Sequence, residues 1–165
     1  MKYLALFRPP VSLIDSLSRE SEIKLNSRGI HCTLLNFSID EEDESRLVKS
    51  LDGIQSRSFG LEIVGETNFN PETRALLLSR PEALLALHRQ IVDVVRPFDI
   101  DNHLSDPSAR MYILDKYNPH IMLSGVGIQR LRKNYVGTRM TISNYHLAKK
   151  KNGAWLDVRA FPLQD

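Results

Sequence analysis

The sequence predicts an α+β fold of two pseudo-symmetric lobes, in which antiparallel sheets face a central groove and helices lie outside. Two observations predict it. Segments with helical and with strand-like spacing alternate in a similar order in both halves of the chain, and each half has an apolar strand that begins at a histidine. No low-complexity segment or flexible linker separates the halves, so we expect residues 1–165 to form a single bilobal domain.

The first half of the chain predicts two strands and two helices in alternation. Pro9 and Pro10 end the first apolar run, because proline cannot donate a hydrogen bond to a strand ladder. The second helix has an acidic first turn, which is favourable at the positive end of a helix dipole. The predicted elements are a strand at 3–7, a helix in the first part of 11–25, a strand at 30–37 and a helix at 40–54.

The second half predicts one long helix and several strands. Pro81 opens and Pro97 ends a segment with apolar residues at helical spacing. Asn152-Gly153 supplies the positive φ angles that a tight hairpin turn needs. The other predicted elements are strands at 59–64 and 74–78 joined by a turn around Asn70-Pro71, an irregular loop at 99–115, a strand at 119–126, and a closing hairpin of residues 140–148 and 155–161.

The composition is that of a globular domain without a membrane segment. Of the 165 residues, 42% are hydrophobic and 25% are charged, which is enough apolar material for a core. No apolar run approaches the roughly 18–20 residues that span a bilayer, and the N-terminal run is too short for a signal peptide, so we expect a cytoplasmic protein. Cys32 is the only cysteine, which leaves no internal disulfide and no all-cysteine metal site.

Charge is distributed unevenly along the chain. The net charge is +2, but residues 1–109 carry −5 and residues 110–165 carry +7. A basic C-terminal third favours a polyanionic partner, although solvated lysines on a hairpin explain the same pattern.

Two segments place a histidine at the start of an apolar strand. They are Gly29-Ile30-His31-Cys32-Thr33-Leu34-Leu35 and Asn118-Pro119-His120-Ile121-Met122-Leu123-Ser124. Side chains alternate between faces along a strand, so His31 shares a face with Thr33, and His120 shares a face with Met122. Two imidazoles on opposite sides of a phosphodiester are chemically sensible, because a pKa of about 6.5 lets one act as base and the other as acid at neutral pH.

These segments resemble the two motifs of the two-histidine (2H) phosphoesterase superfamily, whose members include 2′-5′ RNA ligase-like proteins and 2′,3′-cyclic phosphodiesterases. The family pattern is two copies of His-x-Thr/Ser followed by an apolar residue. The opening Met-Lys-Tyr-Leu-Ala-Leu-Phe-Arg-Pro-Pro resembles the family's first strand, and the ending from Tyr145-His146-Leu147 to Phe161-Pro162-Leu163 resembles its final hairpin. The resemblance covers nearly the whole chain.

The resemblance implies a metal-independent phosphoesterase without a cofactor, whose substrate is RNA or a nucleotide with a cyclic phosphate. The leading expectation is 2′,3′-cyclic phosphodiesterase activity, with 2′-5′ RNA ligation as a related reaction at the same site. His31 and His120 would transfer protons and Thr33 would hold the phosphate, while the sequence leaves open which histidine is the acid. We expect no membrane association and a monomer.

Met122 departs from the family pattern, which has Thr or Ser at this position. A thioether does not donate a hydrogen bond, so the second motif lacks one donor to the phosphate. Ser124 is a candidate substrate contact on the same face as Met122, one strand repeat further along and about 6.6 Å away. Arg130 is a candidate phosphate contact. Tyr117 is a candidate for stacking on a base, with core packing as the alternative.

Alternative functions stay open at this point. Met122 fits a member of the same fold that has lost turnover and binds only RNA or phosphate, which predicts salt-sensitive RNA binding without turnover. Action on another nucleotide phosphodiester, such as an ADP-ribose cyclic phosphate or 2′-5′ oligoadenylate, is a further possibility. For the remaining histidines, His88, His103 and His146, packing or surface positions are the simpler interpretation.

Overall fold

The structure is a computed structural model, and it describes residues 1–21, 29–70, 73–101, 104, 116–124 and 134–165. Within these ranges the chain forms three α-helices and a sheet of eight strands. The helices are α1 (Val11–Ser21), α2 (Glu44–Asp52) and α3 (Glu82–Val95). The strands are β1 (Lys2–Phe7), β2 (Cys32–Ser38), β3 (Phe59–Asn70), β4 (Thr73–Leu78), β5 (His120–Ser124), β6 (Arg139–Ile142), β7 (Asn144–Lys151) and β8 (Ala154–Pro162).

The strands form one continuous sheet in the order β6-β3-β4-β5-β2-β1-β7-β8, and all neighbouring strands run antiparallel. The α+β class with two similar four-stranded halves is therefore confirmed. The halves are joined where β2 pairs with β5, so the two strands that begin at the histidine motifs are neighbours at the centre of the sheet.

The sheet curls along its length. Strands β6 and β7 lie in different halves, with five strands between them in the sheet order, yet only Ser143 separates them in the chain. The Leu163 amide donates a 2.8 Å hydrogen bond to the Ser143 carbonyl, and the Ser58 amide donates one of 2.7 Å to the Gln164 carbonyl. These bonds tie the C-terminal segment to the start of β3 and hold the two halves of the sheet together at this end.

Helices cover one face of the sheet. Helix α3 contacts β2 and α2, and α2 contacts β8. The Tyr145 hydroxyl, fully buried under α2, donates a 2.9 Å hydrogen bond to the Leu51 carbonyl. The apolar spacing predicted for α3 is confirmed, since it buries Leu84, Leu87, Ile91, Val92 and Val95. With one face of the central strands packed in this way, their polar residues project from the other face.

Several predicted boundaries differ from the structure. Residues 140–148 do not form one strand, because Met140 and Ile142 face the core on β6 whereas Tyr145 and Leu147 face it on β7. The step of three positions from Ile142 to Tyr145 breaks the two-residue alternation, and the chain changes strand at that point. Other predicted segments keep their type with shifted ends: β3 is longer than 59–64, and a 3-10 turn at Glu41–Asp43 precedes α2.

The closing hairpin turns as predicted. Asn152 has a φ of 51° and Gly153 a φ of 79°, the left-handed conformations that a two-residue hairpin turn requires. No helix among the described residues has the length and apolar content needed to cross a bilayer. The turn predicted at Asn70-Pro71 and most of the loop predicted at 99–115 fall partly or wholly outside the described residues.

Candidate active site

The register of β2 and β5 brings the two histidine motifs together. Cys32 lies opposite Ile121, and both are fully buried on the helix-covered face. Their chain neighbours therefore project from the opposite face of the sheet, which we call the histidine face. Its four central side chains are those of His31, Thr33, His120 and Met122.

These four residues form a compact quadrilateral. One step in either direction from the Cys32–Ile121 pair places His31 opposite Met122 and Thr33 opposite His120. The two histidines are thus diagonal neighbours on adjacent strands, for which the Cα atoms are about 7–8 Å apart. Side chains rising from such positions can contact one tetrahedral anion between them.

The pKa of His31 is lowered by burial and by nearby positive charges. Its side chain is partly buried, and this burial lowers its pKa below the usual value. The guanidinium of Arg8 and the charge of His120 lower the pKa further, while the Gly29 carbonyl opposes them. The lowered pKa of His31 favours the neutral imidazole, which is the state that accepts a proton.

His120 is oriented by the backbone. Its Nδ1 lies 2.9 Å from the Asn118 carbonyl oxygen. Because a carbonyl oxygen only accepts, Nδ1 carries the proton and Nε2 is left to exchange a proton with a substrate. Pro119, buried between Asn118 and His120, fixes the backbone angle at this point.

Thr33 is supported from behind the sheet by buried groups. The Tyr117 hydroxyl donates a 3.0 Å hydrogen bond to the Thr33 carbonyl and lies 3.5 Å from Cys32 Sγ. The Tyr117 ring stacks on His88 with ring centroids 4.2 Å apart. Strand β2 has a bulge directly after Thr33, because Leu6 of β1 pairs with Thr33 whereas Ala5 pairs with Leu35. Such bulges set the direction of nearby side chains.

The buried pair of His88 and Tyr117 yields a stability prediction. Burial lowers the pKa of His88 to about 4, whereas an unfolded chain protonates its histidines near pH 6.5. As the pH falls from 6.5 towards 4 the unfolded state binds the extra proton, so the free energy of unfolding falls, by on the order of 3 kcal/mol from this group. Denaturant unfolding at several pH values measures the loss.

The matched variant for that measurement is His88→Phe, which keeps an aromatic ring against Tyr117 and binds no proton. We expect its stability to depend less on pH between 6.5 and 4 than that of the parent protein. Identical pH dependence in the two proteins would contradict a neutral buried His88.

Met122 occupies the corner of the quadrilateral beside His31. It pairs with Ala75 on β4, and 38% of its surface is exposed. A hydroxyl here would be the symmetric counterpart of Thr33, which lies beside His120. The residue that departs from the Thr or Ser of the family pattern therefore lies on the histidine face itself.

Two other predicted contact residues, Tyr117 and Ser124, are placed less centrally. Tyr117 is only 4% exposed, which leaves its ring almost no surface for a base and makes it a support for Thr33. Ser124 ends β5, where it pairs with Thr73. Arg130 and His103 lie outside the described residues.

Two residues on the histidine face were not predicted as site residues. Leu6 pairs with Thr33 on one side and with His146 on the other, so His146 shares the face. Arg8 follows Leu6 by two residues, and its charge acts on both His31 and His146. The available signal was alternation: Leu4, Leu6 and Arg8 have the same parity in the first strand.

A cavity of about 820 Å³ lies apart from these residues. It is bordered by the edge strand β6 and its neighbour β3, with Gly60, Glu62, Val64, Arg139 and Thr141 among the lining residues. None of the four central residues of the histidine face lines it. The candidate site therefore rests on the juxtaposed side chains rather than on this cavity.

Comparison with solved structures confirms the fold that the sequence resemblance implies. A structure of TT0787 from Thermus thermophilus aligns with a TM-score of 0.69 at 16% identity, covering 99% of this chain and 98% of that one. Escherichia coli LigT in complex with 3′-AMP aligns with a TM-score of 0.67 at 13% identity and the same coverage. A protein described as a phosphoesterase gives 0.67 at 13% identity, again over 99% and 98% of the two chains. No protein-family model and no curated protein sequence matches the chain.

Proposed function

We propose that this protein is a phosphoesterase that hydrolyses a 2′,3′-cyclic phosphate on RNA or a nucleotide. The observation that carries the proposal is the placement of His31, Thr33 and His120 together on one face of two adjacent central strands. The shared fold of E. coli LigT, whose structure was solved with 3′-AMP, supports a nucleotide ligand.

Each side chain has a defined part in the proposed reaction. Neutral His31 accepts a proton from water as the water oxygen forms its bond to phosphorus. His120, through Nε2, donates a proton to the ribose oxygen as the bond from that oxygen to phosphorus breaks. The Thr33 hydroxyl donates a hydrogen bond to a non-bridging oxygen of the phosphate. The reaction consumes one water and leaves a phosphate monoester.

Ligation of 2′-5′ RNA would use the same groups in the same sense. A ribose 5′-hydroxyl takes the place of water as the nucleophile and gives its proton to His31, while His120 protonates the 3′ oxygen that leaves phosphorus as the cyclic phosphate opens. The proposed chemistry assigns no step to a metal ion, and no cluster of three or more metal-ligating side chains lies among the described residues.

The single buried thiol of Cys32 fits a reducing compartment, and the cytoplasm stays our prediction.

A direct assay tests the proposal. Purified protein is incubated with RNA that ends in a 2′,3′-cyclic phosphate, with and without excess EDTA, and the monoester product is measured. We expect the same rate in both conditions, because proton transfer from water to His31 and from His120 to the ribose oxygen needs no metal. Loss of activity in EDTA that added metal restores would contradict the proposed mechanism.

Met122 favours a second candidate, an RNA-binding or phosphate-binding protein without turnover. Its position beside His31 removes one hydrogen-bond donor from the face that would hold the phosphate. This candidate predicts RNA binding that weakens steeply with salt, and no monoester product even at high protein concentration. Detectable product that disappears with His31→Ala would decide against it.

A further inference from the structure

Beyond the two proposed catalytic histidines, the histidine face carries a further arginine, Arg8, and a further histidine, His146. Leu6 on β1 lies between Thr33 on β2 and His146 on β7, so these three residues form a row across the sheet. Arg8 lies one strand repeat along from Leu6, beside His31. The face therefore continues from the reaction centre into the half formed by β1, β7 and β8.

The head group of Arg8 is held in that half. Its Nη2 donates a 2.6 Å hydrogen bond to Asp157 Oδ1, and only 16% of the arginine side chain is exposed. Asp157 lies on β8, the edge strand, and is separated from β1 by β7. The ion pair thus draws the guanidinium away from His120 and towards the edge of the sheet.

His146 is the second side chain at this position, and a bound anion would favour its protonated form. Its Nε2 lies 3.0 Å from Asn144 Oδ1, and the ring is partly buried. Burial lowers its pKa, the Arg8 charge lowers the pKa further, and Asp157 opposes both. Arg8 and His146 therefore lie close enough to act on each other, with Asp157 as their anionic partner.

An anion bound here is separate from the reacting phosphate. Strands in a sheet are about 4.8 Å apart, so His146 on β7 lies roughly 9–10 Å from Thr33 on β2. The reacting phosphate is proposed to lie between β2 and β5, on the other side of Thr33. A guanidinium is well suited to a second phosphate, because its planar donors match phosphate oxygens.

We propose that Arg8 and His146 form a second anion subsite, which binds a neighbouring phosphate of the RNA chain, so that the preferred substrate is an RNA end rather than a mononucleotide. This inference rests on the proposed function and names its substrate class. Asp157 is a positioning residue, since it holds the guanidinium over β1 and β7.

The test compares three substrates that share one terminal nucleoside. They are the nucleoside 2′,3′-cyclic phosphate, the dinucleotide that ends in the same cyclic phosphate, and that dinucleotide with an uncharged methylphosphonate in place of its internal phosphate. We expect kcat/KM to be about 10-fold or more higher for the charged dinucleotide than for the other two, as for one charge-assisted hydrogen bond. The advantage is expected to shrink as salt is added.

Variants then assign the preference to residues. Arg8→Gln and His146→Asn are expected to reduce the ratio of kcat/KM between charged and uncharged dinucleotides towards one. Arg159→Gln is the matched control, because Arg159 also lies on this half of the sheet and forms an exposed 2.8 Å ion pair with Asp52 of α2. It removes the same charge and is expected to leave the ratio unchanged. Thermal unfolding verifies that each variant is folded.

The outcomes separate this inference from the proposed function. Equal kcat/KM on all three substrates would overturn the second subsite and leave the hydrolase standing, as would a preference that survives the methylphosphonate. If Arg8→Gln does not fold, the substrate comparison on the parent protein and on His146→Asn still decides. No hydrolysis of any substrate would overturn the proposed function, and the subsite with it.

Discussion

Replacing either His31 or His120 by alanine is expected to lower kcat on a 2′,3′-cyclic phosphate by about 10²- to 10⁴-fold, the usual contribution of a positioned acid or base. Each loss alone should be nearly complete, because proton uptake and proton release occur in the same step. The double variant is therefore expected to be little worse than either single one. Steady-state kinetics on purified protein at pH 7 measures all three.

The matched control is Asn36→Ala. Asn36 is an exposed residue on the same strand as Thr33; it lies opposite Leu4 and is not one of the four central residues of the histidine face. We expect its kcat to equal that of the parent protein. Full activity in either histidine variant, with folding verified by thermal unfolding, would remove the two-histidine mechanism.

Replacing Met122 by threonine is expected to raise kcat by roughly 10- to 150-fold. This range corresponds to about 1.5–3 kcal/mol for a hydrogen bond to a charged phosphate that forms in the transition state. The position is suitable because residue 122 lies opposite His31, as Thr33 lies opposite His120, and Met122 is 38% exposed on the histidine face. The gain should appear in kcat more than in KM.

Met122→Val is the control that isolates the hydroxyl, because valine has the shape of threonine without the donor. We expect its kcat to stay near that of the parent protein. An equal rise in both variants would attribute the effect to shape rather than to hydrogen bonding. A fall in Met122→Thr would mean that the thioether itself contributes to the site.

The amphipathic patterns in the sequence were sufficient to predict most elements of the fold. Helix α3 follows from apolar spacing between two prolines, and the last turn follows from Asn152-Gly153. The pairing of β6 with β3 could not be predicted, because strand order depends on contacts between distant segments. The apolar positions shift from even numbers up to Ile142 to odd numbers from Tyr145. This shift was the local sign that the chain passes there from the edge strand β6 to β7 in the other half of the sheet.

For the candidate site, sequence motifs located the centre and missed its surroundings. His31, Thr33 and His120 are in motifs that can be recognised by type and spacing. Arg8 and His146 lie in the opening and closing segments that resemble the family, outside the two histidine motifs, and they join the face through the pairing of β1 with β2 and β7. Their proposed role depends on which strands are neighbours, and a single sequence does not specify that.

Tyr117 illustrates the opposite case. An aromatic residue next to the second histidine motif fitted either base stacking or core packing, and its ring packs on His88 while its hydroxyl donates a hydrogen bond to the Thr33 carbonyl. The spacing in the sequence does not show on which face of the sheet the side chain of a residue that precedes the strand will lie. Burial raises the pKa of its hydroxyl well above the usual value, so it stays a neutral donor that fixes the backbone at Thr33.

The most direct measurement of the central claim is a crystal structure of the protein with inorganic phosphate. The account predicts one phosphate with oxygens about 2.7–3.2 Å from an imidazole nitrogen of His31, an imidazole nitrogen of His120 and the hydroxyl of Thr33. A structure in which the two rings contact separate anions, or point to different parts of the molecule, would contradict it.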